Sequence, residues 1–252
     1  MSAALTLSFS AQEFTPVSSS RHLLESNGTL WRKIPRTSDP REAAELATEA
    51  SVLSALGVWH HFDPVGPMLT TVTQGAQVET IDEAFLKSAL PQLRRGFKAP
   101  APAGLKRVES QLSLTWKEVL VQLGEEHPLT PVCYKVLDKV GACRTLNRGL
   151  VHGDPRATNW VTGDREVPAL VNWETAMLGP IEYDLAVIAH ELLITGRHDL
   201  LPMVEGPARN KAAFRWSLAI VGVRGLTQVA ASCGVEAGEA RRQLLSTVLK
   251  RF

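Results

Sequence analysis

The chain has 252 residues, 44% hydrophobic and 21% charged, which is enough apolar matter for a sizeable core and a length that suits one two-lobed unit. A net charge of +1 excludes the strong positive field that selects nucleic acid or an anionic membrane surface. Three scattered cysteines, Cys133, Cys143 and Cys233, without a CxxC pair exclude a disulfide framework and a cysteine-based zinc site, and fit a reducing cytoplasm. From the start, Met1 to Phe14 has no Lys or Arg ahead of its short apolar stretch, so it does not read as a signal peptide. No apolar run approaches the ~20 residues of a membrane span. The expectation is a cytoplasmic protein with neither membrane nor nucleic acid as partner.

Arg21 to Glu25 and Thr29 to Ile34 flank Ser26-Asn27-Gly28, a hairpin signal because Asn and Gly tolerate positive φ. Asp39-Pro40 then opens a helix, with Asp39 as N-cap, Pro40 at the first turn and Glu42 in capping-box position. Ala43, Leu46, Ala50, Leu53 and Leu56 give it an apolar stripe, and Gly57 stops it. His60-His61 reads as a solvated loop pair, and Pro67 to Val72 as a strand. Ile81 to Phe97 predicts a helix, ended by the Pro/Ala linker from Lys98 to Gly104. Helical periodicity returns over Leu105 to Leu123 and Thr130 to Leu146. Two short strands, Trp160-Val161 and Ala169 to Val171, surround a Gly163-Asp164 turn. After Gly179-Pro180 the chain reads as helical, broken at Gly196, Gly206-Pro207 and Gly234. The outline is α+β: a small β-rich lobe over 1–75, and a larger, mainly helical lobe over 76–252.

No GxxxxGK[ST] and no GxGxxG occurs, so P-loop and Rossmann readings have no anchor. What stands out is His152-Gly-Asp154-Pro-Arg156-Ala-Thr-Asn159. This H-x-D-x-x-x-x-N string puts a carboxylate and an amide oxygen on one loop between a helix and a strand. Phosphoryl transfer uses that pairing: the Asp orients the attacking hydroxyl and accepts its proton, while the Asn helps hold Mg²⁺. Val171-Asn172-Trp173-Glu174 follows, then Gly179-Pro-Ile-Glu-Tyr-Asp184-Leu-Ala. A metal-dependent hydrolase built on His152 and Asp154 would need further His and Asp clusters that the sequence lacks.

With these three motifs in this order and spacing, the sequence resembles the aminoglycoside phosphotransferase and choline kinase branch of the protein-kinase-like superfamily. That branch shows an HGDxxxxN loop, an I-D-W-E metal motif and a G-P-x-x-x-D-L-A helix start. The resemblance runs from about Phe14 to Leu193 and is specific between His152 and Asp184. It implies a two-lobed kinase-like fold and transfer of the γ-phosphate of ATP or GTP to a hydroxyl of a small molecule, with Mg²⁺. Asp154 is implied as the catalytic base, Asn159 and Asn172 as metal ligands, and Arg156 as a residue touching the γ-phosphate. Asp184 is implied to brace the catalytic loop, with a plain helix N-cap as the other reading, and His152 is a loop-bracing histidine rather than a base. In the first lobe the phosphate-binding lysine is Lys33 or, one residue out of phase, Arg32. Its helix partner is Glu49 or, one turn earlier, Glu45. Ser18 to Ser20, centred on Ser19, replaces a glycine-rich loop, and Thr71-Val72-Thr73 is the hinge that meets the base.

One departure matters. The branch's metal-loop Asp is here Asn172, which offers Mg²⁺ one neutral oxygen in place of a charged carboxylate. That opens an alternative: a catalytically impaired kinase-like binding or regulatory module. On the acceptor side, nine Lys and Arg against four Asp and Glu after Gly196 favour a neutral or anionic hydroxyl compound over a polycation. Oligomeric state is not legible.

Overall fold

A computed structural model of the chain describes residues 15–17, 22–26, 30–72, 76–140, 148–162 and 168–249. It divides into two compact units, Met1–Gln74 and Gly75–Phe252.

In the first unit, strands β1 (Thr15–Val17), β2 (Leu23–Ser26) and β3 (Leu30–Ile34) are followed by helix α1 (Pro40–Leu56) and strands β4 (His60–Asp63) and β5 (Met68–Val72). The five strands form one antiparallel sheet in the order β1-β2-β3-β5-β4. The expected hairpin is present as the β2–β3 pairing, with Ser26 opposite Trp31; its Asn27-Gly28 tip lies outside the described residues. Leu46, Ala50, Val52 and Leu53 of α1 are buried, as are Leu30 and Leu69 of the sheet. Asp39 caps α1 by accepting from the Arg41 N–H at 2.9 Å. Glu42 does not complete a capping box. Its carboxylate takes the Arg36 and Thr37 N–H groups and the Thr37 hydroxyl, while the Asp39 N–H goes to Thr37 Oγ1. Gly57 closes the helix at φ +69°, a left-handed turn that its N–H satisfies by bonding back to Leu53 and Ser54. His60-His61 is a strand pair rather than a loop. His60 bonds Ser54 Oγ and the Val58 carbonyl, which ties the start of β4 to the end of α1.

The second unit opens with strand β6 (Ala76–Gln77) and runs through helices α2 (Glu83–Lys98), α3 (Ser110–Leu123) and α4 (Thr130–Val140). Strands β7 (Gly149–Val151), β8 (Trp160–Thr162), β9 (Pro168–Leu170) and β10 (Met177–Gly179) come next, then helices α5 (Glu182–Ile194), α6 (Leu201–Glu205), α7 (Lys211–Cys233) and α8 (Val235–Leu249). The small sheets are β7–β10 and β6-β8-β9, all antiparallel. Helix α3 starts five residues later than its periodicity suggests, because the preceding stretch is bonded elsewhere. Leu178 donates to the Lys106 carbonyl and Val108 to the Leu178 carbonyl, so residues 106–108 run beside β10. A predicted continuation of α4 to Leu146 falls outside the described residues from Gly141 onward. Leu185, Ile188, Leu192, Phe214, Leu218 and Ile220 are among the side chains of one buried core. Among the described residues no helix is long and apolar enough to cross a membrane.

A cationic hub sits inside this unit. Arg224 of α7 donates to both Glu118 oxygens, at 2.8 and 3.1 Å, and to Gln111 Oε1 at 3.1 Å, which joins α7 to α3. Gln111 in turn reaches Met177 Sδ of β10. Burial pushes the Tyr183 hydroxyl up to about 12, with the Arg224 charge and hydrogen bond pulling the other way. This network locks β10 and the start of α5, and both of those elements frame the loop bearing Asp154.

Candidate active site

The loop from His152 to Asn159 joins β7 to β8 and is tied down from several directions. Asp184, third residue of α5, accepts the His152 N–H through Oδ2 and the Gly153 N–H through Oδ1, each at 2.8 Å. It is therefore not the helix N-cap, a place taken by Ile181. The His152 ring is buried between two bonds: Nε2 faces the Val171 carbonyl at 2.8 Å, and Nδ1 accepts the Asp154 N–H at 3.2 Å. This arrangement fits the tautomer with its proton on Nε2. The ring packs edge-on against Trp173, 4.7 Å between centroids. Thr175 Oγ1 donates to the His152 carbonyl. Gly153 has φ +86°, and a Cβ there would overlap the Thr175 carbonyl oxygen, so only glycine fits.

The result is a displayed carboxylate. Asp154 is partly exposed, and its two oxygens accept from Arg156 Nε at 2.6 Å and Nη2 at 2.7 Å, a two-pronged pair. That hydrogen bond is the largest influence holding the Arg156 guanidinium above its ordinary pKa. Asn159 Nδ2 donates to the Asp154 carbonyl at 2.7 Å and lies 3.3 Å from Asp154 Oδ2. Its Oδ1 accepts from Asn172 Nδ2 at 2.9 Å. Asn172 is itself left-handed, φ +64°, a conformation that Asn tolerates better than most residues. Asp154, Arg156, Asn159 and Asn172 thus form one continuous polar chain. The indole of Trp160, wholly buried, donates to the Pro155 carbonyl and roots the far end of the loop.

Sequence reasoning did not find Glu191, which accepts the Ala157 N–H at 2.9 Å. The signal was available, since Glu191 lies two turns after Asp184 and therefore on the same face of α5. Burial raises its carboxyl above the ordinary range.

In the first unit Lys33 of β3 and Glu49 of α1 are both buried and paired at 2.6 Å. Their rivals point elsewhere: Arg32 lies 3.8 Å from Glu25, and Glu45 3.8 Å from His22. Thr71 sits in β5, while Ser19 and Thr73 lie outside the described residues.

Residues 21–220 match a family described as the phosphotransferase enzyme family. The chain belongs to the phosphotransferase enzyme family. Its kinase-like fold agrees with solved structures of low sequence identity. A choline/ethanolamine kinase family protein from Mesorhizobium loti aligns over 99% of this chain and 90% of its own, with 19% identity and a TM-score of 0.60. A choline kinase from Streptococcus pneumoniae aligns over 95% and 94%, with 13% identity and a TM-score of 0.62. An aminoglycoside phosphotransferase from Streptomyces rimosus, in complex with ADP and streptomycin, aligns over 85% and 94%, with 15% identity and a TM-score of 0.56. No curated protein matches the chain significantly.

Within this phosphotransferase-family chain the charge state of Asp184 makes a testable claim. Burial pushes its carboxyl from the ordinary 3.8 up to about 7, against the pull of the two backbone N–H groups and with help from the Asp154 charge. The folded protein therefore retains a proton there that the unfolded chain has released between about pH 4 and pH 7, so this group's contribution to stability declines as pH rises through that window. Asp184→Asn is expected to flatten the decline. Urea unfolding of both proteins at about pH 5 and about pH 8 reads it, and a parent–variant difference that does not change with pH would contradict the buried-carboxyl argument.

Proposed function

We propose that the chain transfers the γ-phosphate of ATP or GTP to a hydroxyl group of a small molecule, with Asp154 as the base. The observation that supports this most is the position of Asp154 at the tip of a loop whose backbone is held by Asp184, with the two amides of Asn159 and Asn172 bonded beside it. A carboxylate fixed in this way can orient an alcohol and receive its proton as phosphoryl transfer proceeds. Lys33, held by Glu49, is suited to a nucleotide phosphate, and Ser19, Thr71 and Thr73 are assigned to the rest of the nucleotide. Arg156 is assigned to the γ-phosphate, which requires its guanidinium to leave Asp154. The ADP bound to the Streptomyces rimosus protein is in keeping with a nucleotide co-substrate.

The described residues contain no cluster of three or more His, Cys, Asp or Glu able to hold a metal ion by themselves. Asn159 and Asn172 fit a Mg²⁺ that arrives with the nucleotide, because Mg²⁺ completes its shell with phosphate oxygens and waters. Their two amide oxygens would contribute neutral ligands, and the bound ion would neutralise charge on the phosphates. For the metal to use Asn159 Oδ1, Asn172 Nδ2 must release it.

Calorimetric titration with ATP and with GTP, each with and without Mg²⁺, is the test. Mg²⁺-dependent binding of one of them is expected, and no heat from either at millimolar concentration would refute the proposal. The neutral Asn172 favours one further reading, an impaired kinase-like module that binds nucleotide without turnover. A phosphate-transfer screen over small alcohols, sugars and antibiotics separates the two.

A further inference from the structure

Helices α7 and α8 are antiparallel neighbours whose register is set by glycines. A Cβ at Gly222 would overlap the Leu245 methyls, and one at Gly238 would stand 2.7 Å from Ala230 Cβ. Residue 241 of α8 therefore falls beside residues 225–227 of α7. At that same stretch the missing side chain of Gly225 makes room for His190 of α5, since a Cβ there would come within 2.6 Å of His190 Cε1 and 2.8 Å of Nε2. His190 thus fills a notch of α7, and Arg241 of α8 is near enough for its charge to act on the ring. His190 Nε2 is buried and has no hydrogen-bond partner among the described residues. Arg241 is half-buried. Three other arginines after Gly196 are paired: Arg197 with Asp199, Arg224 with Glu118, and Arg242 with Glu239. Arg241 makes no such pair among the described residues, and a partly desolvated guanidinium without a counter-ion is a standing cost that an anion would relieve.

The charge of Arg156, on the catalytic loop, acts on the His190 ring. Glu191, next to His190, takes the Ala157 N–H, and Arg156 balances the Asp154 carboxylate. Burial, with the Arg241 and Arg156 charges acting in the same direction, lowers the His190 imidazole to about 4. The ring is therefore a neutral hydrogen-bonding group near neutral pH, and Arg241 is a neighbouring guanidinium with no ion pair among the described residues.

We propose that Arg241 and His190 bind a carboxylate or phosphate group carried by the acceptor, so that the hydroxyl compound phosphorylated by this chain is an anion. This inference rests on the phosphotransfer reading above. It predicts that the acceptor's charge is read by α8 while its hydroxyl is presented to Asp154.

The test uses the full chain with Mg²⁺-ATP and Mg²⁺-GTP and matched acceptors: glycerol against glycerate and glycerol 3-phosphate, glucose against gluconate and glucose 6-phosphate, and kanamycin. An anionic member is expected to exceed its neutral parent in kcat/KM by about tenfold or more, and the carboxylate and phosphate arms show which anion is preferred. Arg241→Gln should raise KM for the anionic acceptor by about tenfold while KM for the nucleotide holds, and Arg241→Lys should recover part of the loss. His190→Gln, read in the same way, serves if Arg241 variants melt early. Turnover of glycerol, glucose or kanamycin as good as that of every anion, or an unchanged anion KM in Arg241→Gln, overturns the inference and leaves the phosphotransfer reading standing. If no acceptor is phosphorylated, that reading fails, and equilibrium dialysis of labelled glycerate and glycerol 3-phosphate decides the rest. Retention that Arg241→Gln abolishes sustains the anion site, and equal or absent retention in both proteins removes it.

Discussion

Asp154→Ala is expected to lower the transfer rate by about 10²–10⁴-fold, the usual contribution of a positioned general base, while nucleotide affinity stays within about twofold of the parent. The asymmetry follows from the geometry. The loop's fold rests on backbone bonds from Asp184, on the His152 ring and on Trp160, none of which uses the Asp154 carboxylate. Removing that carboxylate releases Arg156 and loses one 3.3 Å contact to Asn159, but the Asn159 bond to the Asp154 carbonyl survives truncation. Single-turnover rates with saturating nucleotide, alongside calorimetric affinities, make the measurement. Near-parental turnover in the variant would remove Asp154 from its assigned role.

The second large effect concerns Asn172→Asp, and its sign depends on the metal. Asn172 Nδ2 donates to Asn159 Oδ1, and Asn159 cannot turn its amide over without giving up the 2.7 Å bond from Nδ2 to the Asp154 carbonyl. A carboxylate at 172 therefore places oxygen against oxygen. Without Mg²⁺ the variant should lose ~1–3 kcal/mol of stability, the cost of a part-buried acceptor left facing another. With Mg²⁺ and nucleotide the same pair of oxygens becomes a ligand pair. Binding should then tighten by ~1–3 kcal/mol, the scale of a charge-assisted contact, and turnover should rise with it. Asp tolerates the left-handed backbone at 172 nearly as well as Asn, so the change in charge is not confounded by strain. Thermal melts and nucleotide affinities, each with and without Mg²⁺, give four numbers. A variant that gains metal affinity but transfers phosphate to nothing marks a binding module. One that loses both binding and activity shows that the Asn172 amide donates to something a carboxylate cannot.

The residues that announced the fold were those whose role is local. Asp39-Pro40 and Gly57 delimit α1 through caps that act within a few residues, and both ends of that helix were legible. The motif from His152 to Asp184 was legible because loop chemistry fixes its residue types and spacing. Contacts made across the chain were not. The start of α3 is decided by Leu178, seventy residues later, and Glu42 serves the loop before α1 instead of its own cap. The strand at His60-His61 was read as a loop because two polar residues at an edge carry no alternating apolar signal, and β4 is indeed the edge of its sheet. Between Lys33 and Arg32, adjacent residues on opposite faces of a strand, only the position of α1 decides which one finds a buried carboxylate.

The two-pronged clasp of Arg156 on Asp154 bears on futile hydrolysis. While the guanidinium occupies both carboxylate oxygens, the base proposed at Asp154 is closed to water as well as to an acceptor. On that reading the group that draws Arg156 away is the γ-phosphate, and an acceptor hydroxyl must then take up the carboxylate before water does.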